Sequence, residues 1–369
     1  MFISLSNKMN DTVKEQIKNL PVYEAGKPIE YVAREFGLDP DNILKMASNE
    51  NPLGASPKAL EAVKKNLNSL NYYPDSNSYE LREKVAKFWG LTPKQLVFGN
   101  GSNEILEFIA QCYVDKGDET VFGNQSFIVY KLATIFAGGK CVGVDMPNLK
   151  YDLDMLRDAV SEKTKIVFMT NPNNPTGCVL KQDEIVNFVK SLPENVLFCY
   201  DEAYAEFEEN QVDLRPLIAE GRNVICLRTF SKIYGLAGLR VGYSYSNERI
   251  AGYLNRAREP FNVNSLAQVA AYAALDDVEF VNESRRINNI GRKQYEEAFQ
   301  NAGLEYFSEG GNFIMVKVPE ALKMFATLQS KGVIVRPNVG YGLPDWLRIT
   351  IGKPEQNERC IAELLKAIK

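Results

Sequence analysis

One lysine of the sequence stands where an amine could act as a nucleophile or a base. Lys232 follows the β-rich apolar run 224–227, and Gly235 and Gly238 come shortly after it. Most lysines are solvated, but an amine held among apolar residues loses hydration, which lowers its pKa and makes it nucleophilic. The position therefore predicts a reactive amine at the end of a buried strand.

Polar residues also follow three other predicted strands. A glycine-containing helix start comes after residues 97–98, a turn with two prolines after 166–169, and a carboxylate after 196–200. The residues concerned are Gly101, Ser102 and Asn103; Asn174; and Asp201 with Tyr204. Free N–H groups at a helix start suit a phosphate, and a carboxylate at the mouth of a buried strand needs a cation. Taken alone, each run is also explained by a turn or a helix cap.

Because the carboxyl ends of parallel strands meet at one edge of a sheet, these residues are expected to share one ligand. Together they require a phosphate, a ring cation and an aldehyde, and pyridoxal 5′-phosphate carries all three. Lys232 would form the Schiff-base link and then move a proton as a base, and Asp201 would pair with the ring nitrogen. The remaining contacts would come from Gly101, Ser102, Asn103, Thr229, Ser231 and Arg240 to the phosphate, Asn174 and Tyr204 to the phenolic oxygen, and Phe127 to the ring face.

The composition of the 369 residues narrows the chemistry. The sequence holds no histidine, which excludes Ser-His-Asp and Cys-His hydrolysis and the common zinc signatures, so no metal is expected. With 43 Lys and Arg against 47 Asp and Glu, the net charge is -4, so no nucleic-acid or membrane partner is expected. Six cysteines without C-x-x-C spacing, and a start without a signal-peptide pattern, predict a cytoplasmic protein.

The hydrophobic patterning predicts the α/β class, with a mainly parallel seven-stranded sheet in a large domain and a smaller α+β domain. The predicted strands of the large sheet lie near 97–98, 120–122, 141–144, 166–169, 196–200, 224–227 and 239–245. Leu60, Val63, Leu67 and Leu70 recur on one face of a helix that starts near Pro57. The expected division is an N-terminal arm, 1–30, a large domain, 46–275, and a small domain made of 31–45 and 276–369.

The runs 99–102, 171–177 and 201–204, and Ser231-Lys232 with Arg240, are spaced as in fold-type I PLP-dependent aminotransferases. The chain resembles that superfamily from about residue 20 to its C-terminus. Within its class-II subfamily, the runs 23–30, 49–54, 73–75 and 346–352 resemble the histidinol-phosphate aminotransferases. The resemblance implies transamination between L-histidinol phosphate and 2-oxoglutarate, giving imidazole-acetol phosphate and glutamate, as a step of histidine biosynthesis.

The resemblance further implies a homodimer with its active sites at the subunit interface. Tyr73 would then reach the cofactor phosphate of the partner, and Tyr23 and Asn51 would lie at the substrate. Arg348, together with Arg336, would bind the anion of the substrate, because a guanidinium fork can grip a phosphate or a carboxylate. Asn103 and Phe127 depart from the usual Asp and Tyr of the family, and neither change removes a catalytic group.

Three alternatives remain open from the sequence. An aromatic amino-acid aminotransferase would keep the cofactor site and change the substrate. A threonine-phosphate decarboxylase would use the same scaffold to break the bond between Cα and the carboxylate. A non-catalytic PLP-fold sensor is disfavoured, because Lys232, Asp201 and Arg240 are all present and no helix-turn-helix unit is added.

Overall fold

A computed structural model describes residues 12–18, 20 and 26–368. Most of the predicted arm, 1–30, lies outside these residues. The described chain forms a large sheet flanked by helices and a smaller set of strands and helices built from both ends of the chain.

The large sheet comprises β2 (Leu96–Gly99), β3 (Glu119–Gly123), β4 (Lys140–Val144), β5 (Thr164–Thr170), β6 (Leu197–Asp201), β7 (Val224–Thr229) and β8 (Gly242–Ser246). Their order across the sheet is β2-β8-β7-β6-β5-β3-β4. β8 runs antiparallel to β2 and β7, and the other neighbours are parallel. The predicted α/β class and mainly parallel seven-stranded sheet are confirmed.

Both faces of this sheet are buried, as a parallel sheet requires. Successive residues of a strand point to opposite faces, so Phe198 and Tyr200 of β6 pack in one apolar cluster and Leu197 and Cys199 in another. The flanking helices are α3 (Pro57–Asn66), α4 (Tyr79–Trp89), α5 (Gly101–Tyr113), α6 (Val129–Ala137), α7 (Leu153–Asp158), α8 (Gln182–Ser191), α9 (Arg215–Ala219), α10 (Glu248–Ala257) and α11 (Ser265–Ala274).

The smaller unit contains an antiparallel sheet in the order β12-β13-β10-β9, formed by β9 (Tyr306–Phe307), β10 (Phe313–Lys317), β12 (Arg336–Asn338) and β13 (Leu343–Thr350). Its helices are α12 (Val278–Asn301), α13 (Ala321–Ser330) and α14 (Pro354–Ile368). β1 (Leu44–Lys45) pairs in parallel with β11 (Val333–Ile334), so the chain before the large sheet joins this unit. Two further helices, α1 (Glu15–Lys18) and α2 (Ile29–Phe36), precede β1.

The helix predicted near Pro57 is α3, and it ends earlier than the leucine spacing suggested. Leu67 opens a short 3-10 turn, and Leu60, Leu67 and Leu70 are 46%, 48% and 58% exposed. The apolar stripe therefore forms a surface that this chain does not cover. Among the described residues, no helix is long and apolar enough to cross a membrane.

Candidate active site

A cavity of about 420 Å³ opens beside the carboxyl ends of β5, β6 and β7. Thr170, Asp201 and Thr229, the last residues of these strands, all line it. Lys232 lies at the wall of the cavity, where its Nζ donates a hydrogen bond to the carbonyl oxygen of Ser48 at 3.1 Å. The structure thus places the predicted reactive amine at the expected edge of the sheet.

The loop that carries Lys232 is held against the segment 47–56. Gly235 has a φ of +68°, and a Cβ there would lie 1.9 Å from the carbonyl oxygen of Gly54, so only glycine permits this approach. Asn51 Nδ2 donates to the carbonyl oxygen of Ile233 at 2.7 Å, and the Ser56 amide donates to that of Tyr234 at 3.1 Å. These contacts fix the position of the Lys232 backbone.

Asp201 is 2% exposed, and its two oxygens accept hydrogen bonds from the Tyr130 hydroxyl and the Ala203 amide, each at 3.1 Å. Burial raises the pKa of Asp201 to about 6, although the bond from Tyr130 opposes this rise. A cation brought against the carboxylate would offset its lost hydration. The pair Asp201 and Tyr130 therefore fits a ligand with a protonated ring nitrogen.

Tyr204 is buried, and its hydroxyl oxygen accepts hydrogen bonds from Asn49 Nδ2 at 2.9 Å and Asn174 Nδ2 at 3.3 Å. Lys232 Nζ lies 5.6 Å from the centroid of the Tyr204 ring. The structure therefore brings Asn174, Tyr204 and Lys232 together as predicted. This arrangement suits a phenolic oxygen next to a reactive aldehyde.

The residues predicted for the phosphate also share the cavity: Gly101, Ser102, Asn103, Thr229, Ser231 and Arg240. Gly101 is the first residue of α5, where backbone N–H groups are free to bind an anion. A Cβ on Gly101 would lie 2.8 Å from Arg240 Nη2, so glycine keeps the space beside the guanidinium open. The buried Ser231 hydroxyl has no hydrogen-bond partner among the described residues. These groups fit a phosphate, while the Asn103 amide donates to Glu107.

Two arginines on neighbouring strands of the smaller unit line the other side of the cavity. Arg336 of β12 is directly opposite Arg348 of β13 in the antiparallel pairing. Arg348 is 7% exposed; it donates to the carbonyl oxygen of Ala47 at 2.7 Å and to Asn174 Oδ1, and its buried Nε has no partner in the described chain. Two guanidinium groups on one wall of the cavity fit a ligand that carries an anion.

Two predicted site residues, Tyr73 and Asn51, do not line this cavity in the described chain. Tyr73 is 83% exposed and stacks on Phe261 with the ring centroids 4.8 Å apart. The amide of Asn51 is bonded to Ile233 and Ser284 instead. Tyr23 lies outside the described residues. Phe127, by contrast, lines the cavity, and its ring makes a T-shaped contact with the Tyr130 ring, with the two ring centroids 5.8 Å apart.

Two further residues belong to the site and were missed in the sequence. Asn49, rather than Asn51, reaches Tyr204, and it does so from a left-handed φ of +55°. Asparagine tolerates a left-handed φ better than most residues, and this property favours Asn49 at the start of the run 49–54. Phe127 precedes α6, and the Tyr130 amide donates to its carbonyl oxygen at 3.1 Å, so the turn that places Phe127 at the cavity also brings Tyr130 near the sheet edge.

Residues 41–364 match the family described as aminotransferase class I and II. The chain is 46% identical over 357 residues to the histidinol-phosphate aminotransferase of Akkermansia muciniphila, with 96% of this chain and 98% of the relative covered. It is also 46% identical over 355 residues to histidinol-phosphate aminotransferase 2 of Pasteurella multocida, with 95% and 97% covered.

The fold agrees with a crystal structure of histidinol-phosphate aminotransferase from Sinorhizobium meliloti in complex with pyridoxal-5′-phosphate. The TM-score is 0.87 at 27% identity, and 99% of each chain is covered. The fold-type I architecture expected from the resemblance is therefore confirmed. This chain belongs to the class I and II aminotransferase family, within its histidinol-phosphate aminotransferase branch.

Proposed function

We propose that this enzyme transfers the amino group of L-histidinol phosphate to 2-oxoglutarate, giving imidazole-acetol phosphate and glutamate in histidine biosynthesis. The observation that carries the proposal is the opposed pair Arg336 and Arg348 in the same cavity as Lys232. The reaction is reversible, so the amino donor is L-histidinol phosphate in one direction and glutamate in the other. Each donor carries an anion, the phosphate of histidinol phosphate and the distal carboxylate of glutamate. A guanidinium pair can bind either in turn.

The cofactor is pyridoxal 5′-phosphate, which supplies an aldehyde to take up the amino group and a ring to accept the electron pair of the substrate Cα. The residues of this chain hold it in three ways. The start of α5 with Ser231 and Arg240 binds the phosphate, Asp201 pairs with the ring nitrogen, and Tyr204 with Asn174 orients the phenolic oxygen. The lining, burial and hydrogen bonds of the site support these roles.

Lys232 performs the proton transfer in this proposal. Its Nζ would take the proton from the Cα of the amino donor and would deliver it toward the cofactor, so one amine would serve first as base and then as acid. The Ser48 carbonyl and the face of Tyr204 hold the amine in place. Arg348, fixed by Ala47 and Asn174, holds the anion of the donor, so the donor Cα is positioned between Arg348 and Lys232.

An absorbance titration tests both half-reactions. Adding L-histidinol phosphate to the PLP-loaded enzyme should convert its visible band to the near-ultraviolet band of the aminated cofactor, and 2-oxoglutarate should restore the first band. If only aromatic amino acids change the band, the enzyme is an aromatic aminotransferase. If O-phosphothreonine is consumed with release of carbon dioxide and no oxo acid is needed, it is a decarboxylase.

The proposal includes a homodimer in which Tyr73 reaches the cofactor phosphate of the partner. Tyr73 and Phe261 form a stacked pair on the surface, and Leu60, Leu67 and Leu70 are exposed nearby in the sequence. Monomeric proteins seldom leave so many apolar side chains uncovered. The cytoplasmic location and the domain division at 45–46 and 275–276 are also part of the proposal, supported by six free cysteines and by the pairing of β1 with β11.

Subunit mixing tests the role of Tyr73. Homodimers of Lys232→Ala and of Tyr73→Ala should each have little or no activity. If Tyr73 acts across the interface, a heterodimer of the two variants has one active site in which Lys232 and Tyr73 are both native. Refolded mixtures should then recover up to about a quarter of the native activity, as one active site in half of the dimers. No recovery, with dimers shown by light scattering, would place Tyr73 outside the partner's site.

A further inference from the structure

The cavity holds one carboxylate that the proposed chemistry does not use. Four cationic side chains line it, Lys232, Arg240, Arg336 and Arg348, together with two carboxylates, Asp201 and Glu50. Asp201 accepts hydrogen bonds from Tyr130 and Ala203, and in the proposed function it also pairs with the cofactor ring. Glu50 lines the same cavity and has no role in the proposed chemistry.

The backbone before Glu50 runs between the two ends of the site. Arg348 donates to the carbonyl oxygen of Ala47, and Lys232 Nζ donates to that of the next residue, Ser48. Asn49 is held by Thr350 and by Asn312, and Asn51 by Ile233. Glu50 is therefore fixed relative to both the amine and the guanidinium.

The Glu50 side chain has one partner in the described part of the chain, Lys45, whose Nζ donates to Oε1 at 2.6 Å. Lys45 lies on β1 and pairs with Ile334, two residues before Arg336. The side chains of Lys45 and Glu50 are 28% and 40% exposed, and ion pairs of this exposure contribute little to stability. Stability alone is therefore a weak reason to place a carboxylate here.

A carboxylate in this position is unfavourable for one substrate and useful for the other. With its distal carboxylate at the arginines, glutamate would bring its α-carboxylate toward Glu50, and like charges disfavour each other. Histidinol phosphate carries three groups on Cα: the amino group, the phosphate arm and the imidazole arm. With the first at Lys232 and the second at the arginines, the third can reach Glu50, and imidazole always presents at least one N–H donor.

We propose that Glu50 determines specificity by accepting the imidazole N–H of the amino donor. The inference rests on the proposed function and assigns its ring-recognition group. A site that hydrogen-bonds a substrate N–H discriminates strongly against an analogue that lacks it, because the acceptor is left without a partner. The contact with Lys45 occupies Oε1 only, so Oε2 is left to accept the ring N–H.

The test compares two amino donors that differ only in the ring, L-histidinol phosphate and L-phenylalaninol phosphate. The quantity measured is the ratio of their kcat/KM values in the PLP-loaded enzyme and in Glu50→Gln. Replacing a charged acceptor by a neutral one should lower this ratio about tenfold. The kcat/KM for glutamate should stay equal or rise, which also shows that the variant is folded and loaded.

Lys45→Met is the matched control, because it removes the ion pair and keeps the carboxylate. Its substrate ratio should stay within about twofold of the native value. An unchanged ratio in Glu50→Gln, or an equal loss for all three donors, would overturn the inference, and so would a Lys45→Met ratio as low as that of Glu50→Gln. If the native enzyme does not use histidinol phosphate at all, the proposed function is wrong, and the role of Glu50 that rests on it is overturned with it.

Discussion

Two groups of buried charged residues meet at Asp201, the last residue of β6, and Glu202, the residue after it, and the two groups differ in how completely they are paired. Glu202 accepts two hydrogen bonds from Arg228 and one from Tyr245, and Arg228 also donates to Glu206 at 2.9 Å. We call these four residues the closed cluster. Asp201, one residue earlier, is equally buried but receives bonds only from Tyr130 and Ala203 among the described residues.

The same contrast separates the two buried arginines. All three nitrogens of Arg228 are bonded, and its guanidinium stacks 4.4 Å from the Trp89 ring. Arg348 keeps a buried Nε without a partner in the described chain. Asp201 and Arg348 line the cavity that Lys232 also lines, and we call this cavity the open site. A buried charge that is fully paired within the chain is structural, whereas one that is not is placed for a ligand.

The largest expected effect is on the open site. Lys232→Ala should lower the rate of amino transfer by about 10⁴-fold, because Lys232 is the one lysine among the described residues that line the cavity, while PLP should still bind. Lys232→Arg keeps the charge but cannot give up its proton at neutral pH, so it should be as inactive. Single-turnover absorbance measurements with histidinol phosphate give both rates. Activity within tenfold of the native enzyme in either variant would remove Lys232 as the base.

Breaking the closed cluster should instead cost stability. Arg228→Met leaves Glu202 and Glu206 buried and unpaired, so the free energy of unfolding should fall by about 3–5 kcal/mol. Adding Glu202→Gln removes one of the stranded charges and should recover part of the loss. Urea unfolding measures both variants, and the PLP affinity of the folded fraction should not change. A loss of PLP affinity at unchanged stability would contradict the structural assignment.

The open site should also make the cofactor-free enzyme sensitive to pH. The pKa of Asp201 is about 6 in the folded chain and 3.8 ordinarily, so its contribution to stability is present below pH 4 and lost as the pH rises through 6. The free energy of unfolding should fall by about 3 kcal/mol over this pH range, and bound PLP should make the fall smaller. Asp201→Asn is the control, since its unfolding free energy should lack this pH dependence. Equal pH profiles for the two proteins would contradict the prediction.

The smallest expected effect comes from the open arginine. Arg348→Ala should lower kcat/KM by about 10- to 100-fold in both half-reactions, because one guanidinium serves the phosphate of one donor and the carboxylate of the other. Stopped-flow absorbance with each amino donor measures the two values separately. A loss confined to one donor would mean that the two anions bind at different places.

Much of the open site could be predicted from the sequence, since it follows strand ends. Asp201, Thr229 and Lys232 come directly after apolar runs, and parallel strands bring such ends to one edge. Asn49 and Asn51 could not be told apart, because both are polar and two residues apart in an irregular segment. Only the contacts of Thr350, Asn312 and Ile233 decide which one faces Tyr204.

The sequence by itself determined the α/β class, the strand ends and the residue types of the cofactor site, because hydrophobic period and turn residues are local properties. It also determined what chemistry is absent, since the chain has no histidine. The tertiary structure decided the partners of the charges: Arg228 bonds to Glu202 and Glu206, whereas Arg348 donates its hydrogen bonds in the described chain to the neutral groups of Ala47 and Asn174. Pairing joins residues far apart in the chain, and burial then sets whether each charge is satisfied within the fold or by a ligand.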